Sequence, residues 1–237
     1  MAITIVQTLN STSSKTLSPT FSGESCGCIV AMAGWQQNAD PGGSATCNGA
    51  AMTSIISAYR QFQGLSYQGR VTLLYKVAPA SGTHDVVISI NASAYAWCVW
   101  AVSGLHQTAP VKDSATGSGT GTVTATMTVA DTNGICVAGC STDNNGNNGG
   151  SGFTTIASNG GGLVQQLLTG ITAGQTYSCT GNWGGEGACA AVASLSPAPP
   201  SAGGQSVATW FFMKKAKEVW NLDKGIYRPR NTGLVTI

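Results

Sequence analysis

Charge is what this chain has least of. Of its 237 residues, 11 are Lys or Arg and 9 are Asp or Glu, together 8%, against about 25% in an ordinary globular protein. Helices take their exposed faces from Glu, Lys and Arg. So few charges, with 32 glycines and abundant Thr, Val and Ser, exclude a mainly helical fold and point to β-structure. Long apolar runs are missing too. No stretch approaches the roughly 18 apolar residues of a membrane helix. The opening "MAITIVQTLN" has neither the basic start nor the apolar core of a secretory signal. These absences predict synthesis in a host cytoplasm, no use of the general secretory route and no membrane partner.

Catalytic signatures are equally scarce. The two histidines, His84 and His106, are not at a metal-ligand spacing and read as polar turn residues. There is no G-x-S-x-G, and "GSGTGT" (117–122) has Thr122 where a dinucleotide fingerprint needs its last Gly. Glu24, Asp85 and Glu186 are the formal candidates for a hydrolytic pair, and nothing in their spacing brings them together. "DNNGNNGG" (143–150) echoes a calcium loop at Asp143, Asn145 and Asn147. It then has Asn148 and Thr154 where the Gly and the bidentate Glu belong, so it reads as a loop between strands. The expectation is a protein that is not an enzyme and holds no cofactor or metal.

Eight cysteines are present without a C-x-x-C pair, which leaves zinc unsupported. Cys28, Cys98, Cys136 and Cys189 lie inside apolar runs and are expected to be buried thiols. If the protein meets an oxidising medium, Cys26–Cys47 and Cys179–Cys189 are the candidate disulfides.

What the chain does have is a rhythm of short strand signals. Eleven segments stand out, among them "AITIVQTL" (2–9), "CIVAMAGW" (28–35), "RVTLLYKVA" (70–78), "YAWCVWAVSG" (95–104), "GTVTATMTV" (121–129), "GICVAGCS" (134–141) and "ACAAVASL" (188–195). Clusters of Gly, Asn, Asp and Pro separate them, which indicates an antiparallel sandwich or barrel. In "GTVTATMTV" the residues Val123, Ala125, Met127 and Val129 share one face and threonines the other, the pattern of a half-exposed strand. "YAWCVWAV" and "ACAAVASL" are apolar on both faces and read as central strands. The two halves of the chain also echo each other, with Cys28 corresponding to Cys136 and Cys98 to Cys189. Such an echo fits a sandwich to which each half supplies matching strands, as in jelly rolls.

The run "YAWCVWAVSGLHQTAPVKDSATGSGTGTVTATMTVADTNGICVAGCS" (95–141) resembles jelly-roll sandwich domains found in bacteriophage virion proteins and bacterial surface proteins. The resemblance covers about residues 3–197. It implies an all-β, antiparallel, jelly-roll-like β-sandwich over residues 1–196, and it carries no catalytic residue. The eight cysteines and everything after Pro197 depart from the pattern.

Beyond "PAPPSAGG" (197–204), a Pro/Gly linker, the composition changes. Residues 1–200 carry five basic and seven acidic side chains, whereas residues 201–237 carry six basic and two acidic ones. Such an asymmetry marks an interaction tail. Glu218 and Asp223 interrupt the basic run and the body offers no basic face, so nucleic acid is not the expected partner. Residues 205–237 read as a short-helical or extended docking arm. Its contact residues are Trp210, Phe211, Phe212, Lys214, Lys215, Val219, Trp220, Ile226, Tyr227, Arg228 and Arg230.

These features predict a structural virion protein: a capsid decoration or cement protein on the virion surface. Its partners would be other virion subunits and its own copies in a homo-oligomer. The alternative is a carbohydrate-binding or adhesion module with Trp35 and Trp183 as its glycan platform, and the third reading is an unrecognised hydrolase.

Overall fold

The computed structural model describes residues 2–62, 66–142, 152–159, 163–182 and 187–200. Among them there is no helix, as the composition requires. The first half of the chain forms β1 (Thr4–Ser11), β2 (Thr16–Leu17), β3 (Thr20–Phe21), β4 (Gly27–Gln37), β5 (Ser44–Cys47) and β6 (Ala50–Ala51). It continues through β7 (Thr53–Gln61), β8 (Tyr67–Val77), β9 (Gly82–Thr83), β10 (Val86–Ser89) and β11 (Ala94–Ser103). The second half forms β12 (Val111–Gly119), β13 (Thr122–Thr128), β14 (Ile135–Thr142), β15 (Thr154–Asn159), β16 (Leu163–Thr169), β17 (Thr176–Asn182) and β18 (Ala188–Leu195).

The strands make two five-stranded antiparallel sheets, β1-β11-β4-β8-β7 and β12-β18-β14-β16-β15. Take the main strands of each half in chain order. Both sheets then read first, fifth, second, fourth, third. Each half also sends one strand aside after its first main strand and another before its last. These pair with each other, β2 with β10 and β13 with β17. First therefore pairs with last and second with next-to-last, the winding of a jelly roll. The echo in the sequence is thus deeper than one shared sandwich. Each half winds its own jelly-roll-like sandwich, and the two form one compact unit, Met1–Pro199.

The residue correspondence needs one correction. Cys28 pairs with Ala101, three residues after Cys98, whereas Cys136 pairs with Ser194, five residues after Cys189. The two cysteine equivalences differ by two residues of register and do not hold together. Because side chains alternate with period two, such an offset keeps every residue on its face.

The large sheets pack face to face. Edge strand β7 lies against β12, β8 and β4 against β14, and β11 against β15 and β16. The small sheets cover the outer sides: β2-β10-β5-β6 on the first large sheet and β13-β17 on the second. The central strands are therefore buried on both faces. That is why β11 and β18 read as continuous apolar runs, whereas β13, with water on one side, alternates buried and exposed along its whole length. The chain ends of the unit cross between the halves. Ile3 N donates to Asn133 O at 3.2 Å, and Ala198 N donates to Gly104 O. Pro197 pairs with Leu105, so the first two residues of the expected linker belong to the body.

All eleven expected segments are strands. The long one missed, with Val111 as its single β-branched apolar residue, is β12, "VKDSATGSG". It is held by its ladder to β18 and by close passage over β13: a Cβ on Gly117 would collide with the Thr124 carbonyl. The β5–β6 hairpin turns on Asn48 and Gly49, both at positive φ (50° and 72°), the pairing such two-residue turns demand.

Candidate functional site

The expected docking residues, from Trp210 to Arg230, lie outside the described residues, as do Trp183, Glu186 and the Asp143 loop. The structure therefore places one expected site residue, Trp35, and it stands at the end of β4. There β4 pairs with the start of β8, setting Trp35 opposite Gly69, Gln36 opposite Gln68 and Gln37 opposite Tyr67. The half-buried Trp35 ring meets Tyr67 edge to face, with centroids 5.0 Å apart and planes at 81°. Its Nε1 is buried without a hydrogen-bond partner among the described residues.

Gln37 shares the face of the ring pair, whereas Gln36 and Gln68, one residue along on each strand, lie on the opposite face. Gln36 Oε1 accepts from the Ser93 hydroxyl and from Gln37 N. The Tyr59 hydroxyl donates to Gln68 Oε1 at 2.6 Å. Beside them Arg70 Nε donates to Asp40 Oδ1 at 2.6 Å, Nη1 donates to Ser57 Oγ at 2.8 Å, and the guanidinium lies 5.3 Å from the Tyr59 ring centroid. The Arg70 hydrogen bond holds the Asp40 carboxyl below its ordinary range. This end of the first sandwich presents the Trp35–Tyr67 pair with Gln37 on one face, and amides and hydroxyls around one neutralised ion pair on the other. Tyr67 and the glutamines were not singled out in the sequence, because only strand pairing brings β8 beside Trp35.

The remaining candidates resolve into structural roles. His84 Nε2 lies 3.0 Å from the Ala80 carbonyl and its ring stacks on Phe21. His106 Nδ1 accepts from Ala109 N at 3.0 Å and caps its own turn. The Asp85 carboxylate accepts from the Ser18 hydroxyl at 2.6 Å, and that contact ties β10 to the segment after β2. No group of three or more His, Cys, Asp or Glu suited to a metal occurs among the described residues. Trp97 and Trp100 are fully buried, as their strand predicted.

All eight cysteines are buried and present as thiols. Burial pushes the Cys136, Cys179 and Cys189 thiols up to about 12, the opposite of what a nucleophile needs. Cys26 lies in a shallow depression with Pro79 and Gln107, where its thiol donates to the Gly23 carbonyl at 3.1 Å. Both expected disulfides are corrected. Cys179 belongs to the core between β13-β17 and the second large sheet, whereas Cys189 faces the first large sheet, on the other side of β18. Cys47 neighbours Cys28, whose thiol it pushes up, whereas the Cys26 thiol is turned to Gly23.

No protein-family model, curated protein or solved structure matches this chain.

Proposed function

We propose that the protein is a non-enzymatic structural component that assembles with its own copies and with other subunits on a virion surface, as a capsid decoration or cement protein. The observation that carries this reading is the construction of the body. Two sandwiches share one largely apolar core, which gives a stiff unit with few charges on its outer faces. On β13-β17 that face is a ladder of hydroxyl pairs: Thr124 with Thr180, Thr126 with Ser178 and Thr128 with Thr176, at 2.9–3.2 Å. A neutral hydroxyl surface repels neighbours weakly and suits close packing. Trp210, Phe211, Phe212, Val219, Trp220, Ile226 and Tyr227, which lie outside the described residues, are the side chains this reading assigns to a partner surface. Each contributes about 1.5–3 kcal/mol when fully buried.

Deleting 205–237 tests this reading. The truncated body is expected to keep its melting temperature while losing oligomerisation or attachment, measured by analytical ultracentrifugation and by binding to the native particle. Trp220→Ala combined with Tyr227→Ala should weaken attachment most among arm substitutions, and Lys214→Ala should alter only its salt dependence. A truncated body that fails to fold makes the arm part of the core and ends the docking reading.

A second reading is favoured by the Trp35–Tyr67 pair: a saccharide-binding module at that end of the first sandwich, with the rings stacking on sugar and Gln37, on the same face, meeting its hydroxyls. Quenching of tryptophan fluorescence by soluble polysaccharides, lost in Trp35→Ala, supports it. Unchanged fluorescence across neutral and acidic glycans removes it.

A further inference from the structure

Cys28 and Cys47 belong to different sheets. Cys28 is the second residue of β4 in the large sheet, within its buried run and opposite Lys76. Cys47 ends β5 in the small sheet, opposite Val86. Both are fully buried in the same core. Their juxtaposition follows from how β5 crosses β4. A Cβ built on Gly43, the residue before β5, would lie 2.7 Å from Thr72 Oγ1 and 3.1 Å from Met32 Sδ, and Thr72 and Met32 are cross-strand partners. Gly43 therefore sits over residue 32 of β4. Four residues on, β5 has advanced about 13 Å, which is also the distance along β4 from Met32 back to Cys28. Side chains four apart share a face, so Cys47 arrives above Cys28. There the neighbouring Cys47 thiol holds the Cys28 thiol above its ordinary value.

We propose that Cys28 and Cys47 form a disulfide that staples the two sheets of the first sandwich when the protein enters an oxidising medium. The step is an exchange with a small-molecule disulfide such as oxidised glutathione. One thiol loses its proton to water and attacks the reagent, forming a mixed disulfide and releasing one reduced thiol. The second cysteine, also deprotonated, attacks the protein-side sulfur and releases the other. Two protein thiols are oxidised and one reagent disulfide is reduced to two thiols. The proposal stays with the first sandwich, because in the second the Cys179 thiol is turned to the Gly139 carbonyl at 3.6 Å.

The full chain is carried through unfolding and refolding in a glutathione buffer, oxidised or reduced, then alkylated and cleaved at methionine. Met32 separates the fragment holding Cys26 and Cys28 (2–32) from the fragment holding Cys47 (33–52). The two fragments are expected to stay joined after oxidation in the natural chain and in Cys26→Ser, and to separate in Cys28→Ser. The oxidised natural chain should melt roughly 5–10 °C higher than the reduced one, as expected for a closed loop of this length in a protein of this size. Fragments that separate from the oxidised natural chain overturn the proposal, and so does linkage that persists in Cys28→Ser. If Cys28→Ser does not fold, tandem mass spectrometry of the joined natural fragments decides, since a break at Gly27 shows which sulfur is bonded. Assignment to Cys26 overturns the proposal equally.

Discussion

In the first sandwich the strand that closes the winding, β11, reads "AYAWCVWAVS". Its counterpart in the second, β18, reads "ACAAVASL". Both are buried along nearly their whole length and occupy the same place in their sheets. They differ in volume. Where the two large sheets meet, the first half supplies Trp100, and the second brings Ala157, Ala191 and Ala193 beside Val137 and Leu167, whereas Trp97 and Met32 point to the small sheet and Ala188, Ala190 and Cys140 to the second sandwich's own core. Sheets packed face to face must fill the space between them at crystal-like density. Large residues on one side then require small ones on the other. The halves share a winding and divide the filling between them, so neither could replace the other.

The strongest test of that division is Trp100→Ala. The side chain is fully buried, and β11 lies against β15 and β16, which bring Ala157 and Leu167 to the same core. A loss of about 3–5 kcal/mol is expected, read as a fall in the urea midpoint with an unchanged slope. Val137→Ala, on the facing sheet, should cost less, because it removes fewer atoms. A smaller loss for Trp100→Ala than for Val137→Ala would show that the large side chains are not what the interface is built on.

Next in size is the reverse change, adding volume where the second half is tight. A methyl on Gly181 of β17 would overlap the Cys140 sulfur. Gly181→Ala should therefore cost about 1–3 kcal/mol. Cys140→Ala in the same chain should recover a substantial part of it, because the two changes share one contact. Additive losses in that double-mutant cycle would mean that β17 moves to make room and the second sandwich is looser than its packing suggests.

The all-β antiparallel class was legible because the fold depends on local alternation and on turn residues. Val123, Ala125 and Met127 alternate as strongly in sequence as in burial, and Asn48-Gly49 announces its hairpin. The doubling into two jelly rolls was legible only as an echo. Strand order is set by pairings between distant residues, such as β1 with β11, which no local pattern encodes. β12 was invisible because pairing, not propensity, makes it a strand. At the candidate site, Trp35 was visible as an aromatic at a strand end. Tyr67 joins it through the β4–β8 register. The cysteines show the same limit. Burial was readable from their apolar neighbours, but sheet face decides which thiols can meet, and it placed Cys47 with Cys28.

The thiols give a third, pH-dependent contrast. Cys136, Cys179 and Cys189 all belong to the second half, and burial raises them from 9.0 to about 12. In the unfolded chain such thiols release their protons near 9, whereas the native fold holds them until about 12. The native state is thus favoured below pH 9 and loses stability as pH climbs from 9 toward 12, by about 1.4 kcal/mol per pH unit for each thiol. Cys179→Ala should flatten the alkaline slope of the urea midpoint, whereas Val137→Ala, which removes no ionisable group, should leave the slope alone. Equal slopes in the natural chain and Cys179→Ala would place that thiol in contact with water.

The smallest expected effect belongs to the first half. Among the described residues Arg70 and Asp40 form the one ion pair, and it ties the segment before β5 to β8. Asp40 is held below its ordinary value chiefly by the Arg70 hydrogen bond, with help from the Gly42 amide at 2.8 Å. A lowered carboxylate stabilises the fold above its unfolded pKa, and that stability is lost as pH falls through the folded value. The acid limb of the stability curve should therefore carry a contribution from Asp40 below about pH 4. Water reaches both partners, with 24% and 41% of the two side chains exposed, so the pair contributes only about 0.2–1 kcal/mol. Asp40→Asn should lower the neutral-pH midpoint slightly and remove that share of the acid loss, and 1 M salt should shrink the difference. Arg70→Lys should fall between the natural chain and Asp40→Asn, because an ammonium keeps the charge but not the two-pronged contact or the stacking over Tyr59. If Asp40→Asn instead costs as much as Gly181→Ala, the clamp is structural in the first half to the degree that tight packing is in the second, and the contrast between the halves narrows to volume alone.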